Sequence, residues 1–270
     1  MVPTKRHAEV IAQLAAGIAS LTTSAEWRRY LGYLSRFHCY SLNNILLIAA
    51  QCPEATQVAG YRSWRKLNRY VRAGEKAIWI LAPICYRRDD TAGDGERVVR
   101  GFKLVPVFDV SQTDGERLPT VCSRLVGDDP AGCYDRLVGV ARSLDFVVED
   151  HEFSGDLNGD CSHADRRIRV EVRNTPSQRV KTLAHELAHA FLHEGFGDRA
   201  LAELEAESTA YVVCRALGID SGDYSFGYVA AWAGGGEQAI GAVRGSCGRI
   251  QQTAAAILSR VQAELDDRAA

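Results

Sequence analysis

The chain has 270 residues, 46% of them hydrophobic and 24% charged, with a formal net charge of −2; that length accommodates two modest domains, each with its own core. Its longest apolar run, Ile45 to Ala50, is far too short to span a bilayer, and the N-terminus lacks a signal-peptide pattern, so a cytoplasmic location without a membrane partner is expected. Eight cysteines with no Cys-x-x-Cys pair form neither a disulfide framework nor a thiolate metal site and read as reduced thiols.

The charge is unevenly divided. Residues 1–110 hold 16 Lys and Arg against 9 Asp and Glu, whereas 111–270 hold 16 against 25. A basic, polyanion-binding domain joined to an acidic, enzymatic one fits that division.

From the N-terminus, apolar periodicity predicts amphipathic helices over residues 5–21 and 24–37, the second capped by Ser24 with Glu26 in its first turn. Ser41 caps a third, Leu42 to Gln51, which Cys52-Pro53 ends. A strand-like Thr56 to Gly60 and a helix from Tyr61 to Leu67 follow. Ala77 to Leu81, Ile84 to Arg88 and Val98 to Val107 have strand composition, and the polar stretch 89–97 has that of an exposed hairpin loop.

Within this half, Tyr61 to Lys76 interleaves the cations Arg62, Arg65, Lys66, Arg69, Arg72 and Lys76 with the aromatics Tyr61, Trp64 and Tyr70 and one acid, Glu75. Cations follow phosphates, and exposed rings stack on bases of any sequence at about 1–3 kcal/mol per base, so the segment suits single-stranded DNA. The alternative is that Trp64, Tyr70 and Trp79 are core residues ringed by a solvated basic face.

Turn signals at Asp114-Gly115, Pro119, Gly127 and Pro130 place a linker at 116–129, between a domain over 1–115 and another over 130–270. The second domain reads as a helix (Tyr134 to Leu144), a strand (Phe146 to Glu149), a strand in which Ile168, Val170 and Val172 alternate with polar residues, and a helix from Ser177, behind Pro176, to Gly195. A helix over Leu201 to Leu217 and, beyond Gly234 to Gly236, one over Glu237 to Asp266 complete it. The fold class expected is α+β in two domains, the second with the skeleton of a small zincin.

His185-Glu186-Leu-Ala-His189 lies in the helix behind Pro176. Residues four apart share a helix face, so the two imidazoles can ligate one zinc ion, with Glu186 beside it as the catalytic base. A catalytic zinc needs a third protein ligand and an open position. The helix after it offers Glu203, Glu205 and Glu207. Glu205 shares a row with Thr209, Val212 and Ala216, the side expected to pack inward, and is favoured, with Glu207 second; Glu203 is assigned to the helix start, opposing the dipole. Three imidazoles along one straight face do not converge on one tetrahedral ion, which leaves His193 a surface or helix-end role. The chemistry is then metal-assisted hydrolysis, in which zinc lowers the pKa of water from near 16 to roughly 7 and Glu186 takes the proton. Tyr211, Tyr224 and Tyr228 are open alternatives for an oxyanion donor.

Ser41-Leu-Asn43-Asn44, Gly60-Tyr-Arg-Ser-Trp64, Val71-Arg-Ala-Gly-Glu-Lys76, Pro83 and Pro106 to Thr113 together resemble the N-terminal domain of ArdC-type antirestriction proteins. The His-Glu-x-x-His segment, Glu205-Ala-Glu207-Ser208 and Asp223 to Tyr228 resemble the family's second half; Ala73 and Gly227 depart from its pattern. The resemblance implies a single-stranded-DNA-binding domain followed by a metallopeptidase-like domain related to the ImmA/IrrE and SprT-like groups, in proteins of mobile elements that protect incoming DNA from restriction. Three functions stay open: a DNA-associated zinc peptidase with an unidentified protein substrate, a DNA-binding protein whose zinc is structural, and a regulatory protease that cuts a repressor.

Overall fold

The computed structural model of the chain describes residues 5–87, 97–116, 130–219 and 237–269. They fall into two compact units: Met1–Gly17 with Asn43–Leu118, and Ile18–Leu42 with Pro119–Ala270. Helix and strand are mixed in both. Among the described residues no helix is long and apolar enough to cross a membrane, and the described cysteines are free thiols.

The first unit holds most of α1 (Lys5–Ser20), α3 (Leu42–Gln51), the short α4 (Tyr61–Lys66) and five strands, β1 (Val58–Ala59), β2 (Arg69–Val71), β3 (Ile78–Arg87), β4 (Arg97–Asp109) and β5 (Thr113–Gly115). An antiparallel sheet runs in the order β1-β4-β3, and β2 pairs with β5 as a separate ribbon. Ile45, Leu47 and Ile48 of α3 are fully buried, and Trp64, Ile78, Ile80 and Val107 are buried as well. Strand β3 is a sheet edge, and α3 covers it with two amides. Asn44 exchanges two 2.9 Å hydrogen bonds with the backbone of Leu81, and Gln51 does the same with Trp79, which occupies groups that would otherwise recruit another strand. Buried Asp109 accepts the backbone N–H groups of Thr56, Gln57 and Ser111, and these bonds outweigh burial and hold its carboxyl below the usual range. The run Pro106 to Thr113 is therefore a structural clasp.

The second unit contains α2 (Ser24–Arg36), α5 (Pro130–Arg142), β6 (Val147–His151), β7 (Gly159–Ser162), β8 (Arg167–Glu171), α6 (Pro176–Leu192), α7 (Arg199–Ala216) and α8 (Glu237–Ala269). Its sheet has the order β6-β8-β7, with β6 parallel and β7 antiparallel to β8. Leu137, Ile168, Val170, Leu183, Leu187, Val212, Val243 and Ile250 lie in its core.

Several sequence expectations shift. The expected domain over 1–115 loses Ile18–Leu42 to the second unit. The reason is α2, whose Trp27, Leu31 and Leu34 are fully buried and whose Trp27 indole N–H donates to buried Ser208 on α7 at 3.0 Å. Thr23, not Ser24, caps α2. The two strands expected over 77–88 are one, with a register shift at Ile84/Cys85; Pro83 is tolerated because β3 is an edge strand. Strands β2, β5 and β7 lie where none was expected. Residues 117–129, nearly all of the expected linker, and Gly234 to Gly236 lie outside the described residues.

Candidate metal centre and nucleic-acid face

Helix α6 starts where the side chain of Thr175 accepts the N–H of Gln178, with Pro176 at its first position, and ends at His193. Lys181, His185, His189 and His193 follow one another at four-residue intervals along one row. Edge strand β7 presses against the same helix. A Cβ at Gly159 would come within 2.5 Å of Thr182 Cγ2 and 3.1 Å of Glu186 Oε1, so glycine is what lets the strand approach.

The Nε2 atoms of His185 and His189 face each other at 3.1 Å, and the carboxylate of Glu203 lies 3.3 Å from the first and 3.8 Å from the second. His185, His189 and Glu203 each offer a ligand atom within 4.8 Å of the other two. Tetrahedral zinc with bonds near 2.0–2.2 Å separates its ligand atoms by about 3.3 Å. The donor set therefore fits a divalent metal.

Glu205 does not belong to it. It is fully buried, accepts from Ser246 at 2.7 Å and from Arg249 Nε at 2.9 Å, and faces His193 Nε2 at 3.4 Å. Glu207 sits behind a ligand, with its carboxylate 3.3 Å from His185 Nδ1 and 3.2 Å from Lys181 Nζ. The expectation failed because α7 begins at Arg199 under an Asp198 cap. That places Glu203 in the second turn, on the same row as Glu207, while Glu205 lies about 200° around the helix, toward α8. His193 is at the helix end as expected, but its side chain is only 5% exposed.

Burial pushes the Glu186 carboxyl up to about 7, against the opposing pull of His185. Burial would lower His185, yet hydrogen bonds to Glu203 and Glu207 outweigh it and hold the group at about 9. His189 is lowered, chiefly by burial. The His185 imidazole, 3.3 Å away, with the His189 ring beside it at 3.8 Å, holds Glu203 below the usual carboxylate range. A cation bound between the two imidazoles and Glu203 would displace the proton that His185 holds. The centre opens into a cavity of about 710 Å³ also lined by Asn158, Cys161, His163, Gln178 and Arg199. His163 donates to the backbone carbonyl of His189 at 3.1 Å. Tyr211 is not among the lining residues and accepts from Arg215; Tyr224 and Tyr228 lie outside the described residues. Sequence reading missed Lys181 and β7. The four-residue ladder carried the signal for Lys181, whereas Gly159-Asp-Cys-Ser162 has no strand-like alternation.

In the first unit the seven expected DNA contacts separate. Arg62, Arg65, Lys66 and Lys76 are exposed, and the guanidinium of Arg65 lies 5.9 Å from the ring centre of Tyr70, itself 52% exposed. Trp64 is a core residue, 2% exposed, whose indole donates to the carbonyl of Phe108 at 2.9 Å. Arg69 is spent on the β2–β5 ribbon, donating to Thr113 Oγ1 and its carbonyl at 2.8 Å each. Arg72 is exposed but held by Glu75 at 2.8 Å and Asp114 at 3.2 Å. Trp64, Arg69 and Arg72 therefore leave the expected set.

Comparison with known proteins agrees with this layout. Residues 3–110 match the N-terminal domain of anti-restriction factor ArdC, and residues 142–213 match the IrrE N-terminal-like domain of a peptidase family. An uncharacterized protein of Bacillus anthracis is 25% identical over 87% of this chain, which spans 47% of that relative's length. Crystal structures of the antirestriction ArdC protein from the R388 plasmid, metal-free and Mn(II)-bound, superpose with TM-scores of 0.51 and 0.50 at 20% identity, covering 82% of this chain and 85% of theirs. An ArdC N-terminal domain followed by an IrrE-like domain with its His-Glu-x-x-His helix defines a class of two-domain, metallopeptidase-like proteins. Within that class, the chain combines the N-terminal domain of anti-restriction factor ArdC with an IrrE-like domain and has the fold of the R388 ArdC protein.

Proposed function

We propose that the chain is a metal-dependent peptidase that acts while held on single-stranded DNA, protecting incoming DNA of mobile elements from restriction. The observation that carries this reading is the convergence of His185, His189 and Glu203 beside buried Glu186. Two imidazoles and a carboxylate suit zinc, and the Mn(II)-bound ArdC structure makes manganese a second fit for such a site.

A divalent cation bound there supplies Lewis acidity that polarises a scissile carbonyl and makes water acidic enough to lose a proton near neutral pH. Glu186, buried beside His185, would take that proton and return it to the leaving amine. Edge strand β7, at the cavity, offers main-chain groups to which an extended peptide can add as a further strand. Arg62, Arg65, Lys66 and Lys76 supply phosphate contacts and Tyr70 a stacking surface.

The test is a Glu186→Ala protein assayed for metal content, oligonucleotide binding and peptide cleavage. Metal and DNA binding persist and cleavage disappears. Cleavage that survives removes Glu186 as the base, and undiminished antirestriction activity in that variant makes the metal structural.

A further inference from the structure

Neither the ligands nor the base account for Glu205, His193 and their partners on α8. A fully buried carboxylate is tolerable only when its oxygens are satisfied. Ser246 and Arg249, both on α8, donate to Glu205, at 2.7 Å from Oγ and at 2.9 and 2.5 Å from Nε and Nη2. His193 Nε2 approaches the same carboxylate at 3.4 Å, and His193 Nδ1 lies 2.8 Å from Nδ1 of His189. The proton roles follow from what each group can do. An ionised carboxylate only accepts, so Nε2 of His193 carries the ring proton and its bare Nδ1 accepts from His189 Nδ1–H. That leaves Nε2 of His189 with a free lone pair, aimed at His185 Nε2 and Glu203.

We propose that Glu205 and His193 are positioning residues: a carboxylate–imidazole–imidazole relay, anchored on α8 by Ser246 and Arg249, fixes the ring and tautomer of His189 for a divalent cation. The proposal rests on the metal-centre reading above. The two ligand histidines are oriented by different means. His185 has Glu207 directly behind it, as metal-bound imidazoles commonly do, whereas His189 reaches its carboxylate through a second ring. No described side chain of α8 is among the three ligands, yet the helix sets the quality of the site.

The first arm of the test needs no metal. Nitrogen-15 NMR of the metal-free wild type should find His189 protonated at Nδ1 and His193 at Nε2; a His189 proton on Nε2 overturns the relay. The second arm is calorimetric titration with Zn(II) and Mn(II). His193→Leu keeps bulk but interrupts the relay, and metal affinity should fall about 10- to 100-fold with the far-UV spectrum unchanged. His193→Gln, whose amide both accepts and donates, should recover most of the loss. Wild-type affinity in folded His193→Leu overturns the proposal, and if that variant does not fold, the NMR arm decides. Failure of the wild type to bind either metal instead sinks the metal-centre reading and leaves the tautomers to decide the relay.

Discussion

Glu203 Oε2 stands 3.3 Å from Nε2 of His185, while Glu205, two residues further along the same helix, is turned to α8. Three glutamates at alternate positions of α7 thus hold three separate places: one at the candidate metal, one behind His185, and one in the core behind His193.

That separation predicts opposite phenotypes. Glu203 is half exposed, so Glu203→Ala should change stability by no more than about 0.5 kcal/mol while abolishing stoichiometric metal. Glu205→Ala should cost roughly 2–3 kcal/mol, because it strips the partner from buried Ser246 and from Arg249. Urea unfolding of both metal-free variants, with metal content by elemental analysis, checks the pair.

The two aromatics of the basic segment should also part. Trp64→Ala should destabilise the protein by about 3–5 kcal/mol, as a large buried side chain does. Tyr70→Ala should leave the melting temperature unchanged and weaken oligonucleotide binding by roughly 1–3 kcal/mol, the loss of one stacking partner. Equal DNA affinity in Tyr70→Ala and wild type would remove the ring from the interface.

Arg65 is exposed and forms no ion pair among the described residues, in contrast to Arg72 with Glu75 and Asp114. Arg65→Ala should reduce the slope of log affinity against log salt by about 0.7 for single-stranded DNA. Arg72→Ala should alter that slope less, since its charge is already compensated. Fluorescence anisotropy from low to moderate salt separates the two.

Acid stability should follow Glu171, at the end of the strand that leads into α6. The Arg173 side chain and N–H, with the N–H of Phe153, hold its carboxyl at about 2, below an ordinary value of 4.5. A group whose folded pKa is depressed contributes stability in full above its unfolded value and loses it as pH falls toward the folded one. Wild type should therefore lose stability between about pH 4.5 and pH 2. Glu171→Gln should be weaker at neutral pH and show a shallower decline across that window in urea titrations.

The helix bearing His185, Glu186 and His189 was legible because its signals are local: Pro176 at the start, an apolar stripe, and histidines one turn apart. The third ligand was not, because two residues along α7 rotate a side chain by about 200°, and its phase depends on the Asp198 cap and on packing against α8. Trp64 misled for a similar reason. Its basic neighbours mark a polyanion surface, whereas its burial is decided by Phe108, 44 residues away. Strand β7 escaped notice because its place depends on the close approach at Gly159 rather than on hydrophobic alternation.

Anomalous diffraction from crystals grown with Zn(II) tests the metal centre most directly. One peak about 2.0–2.2 Å from His185 Nε2, His189 Nε2 and a Glu203 oxygen is the predicted result; a peak ligated by Glu205 or Glu207 in place of Glu203, or none at the two histidines, would contradict it.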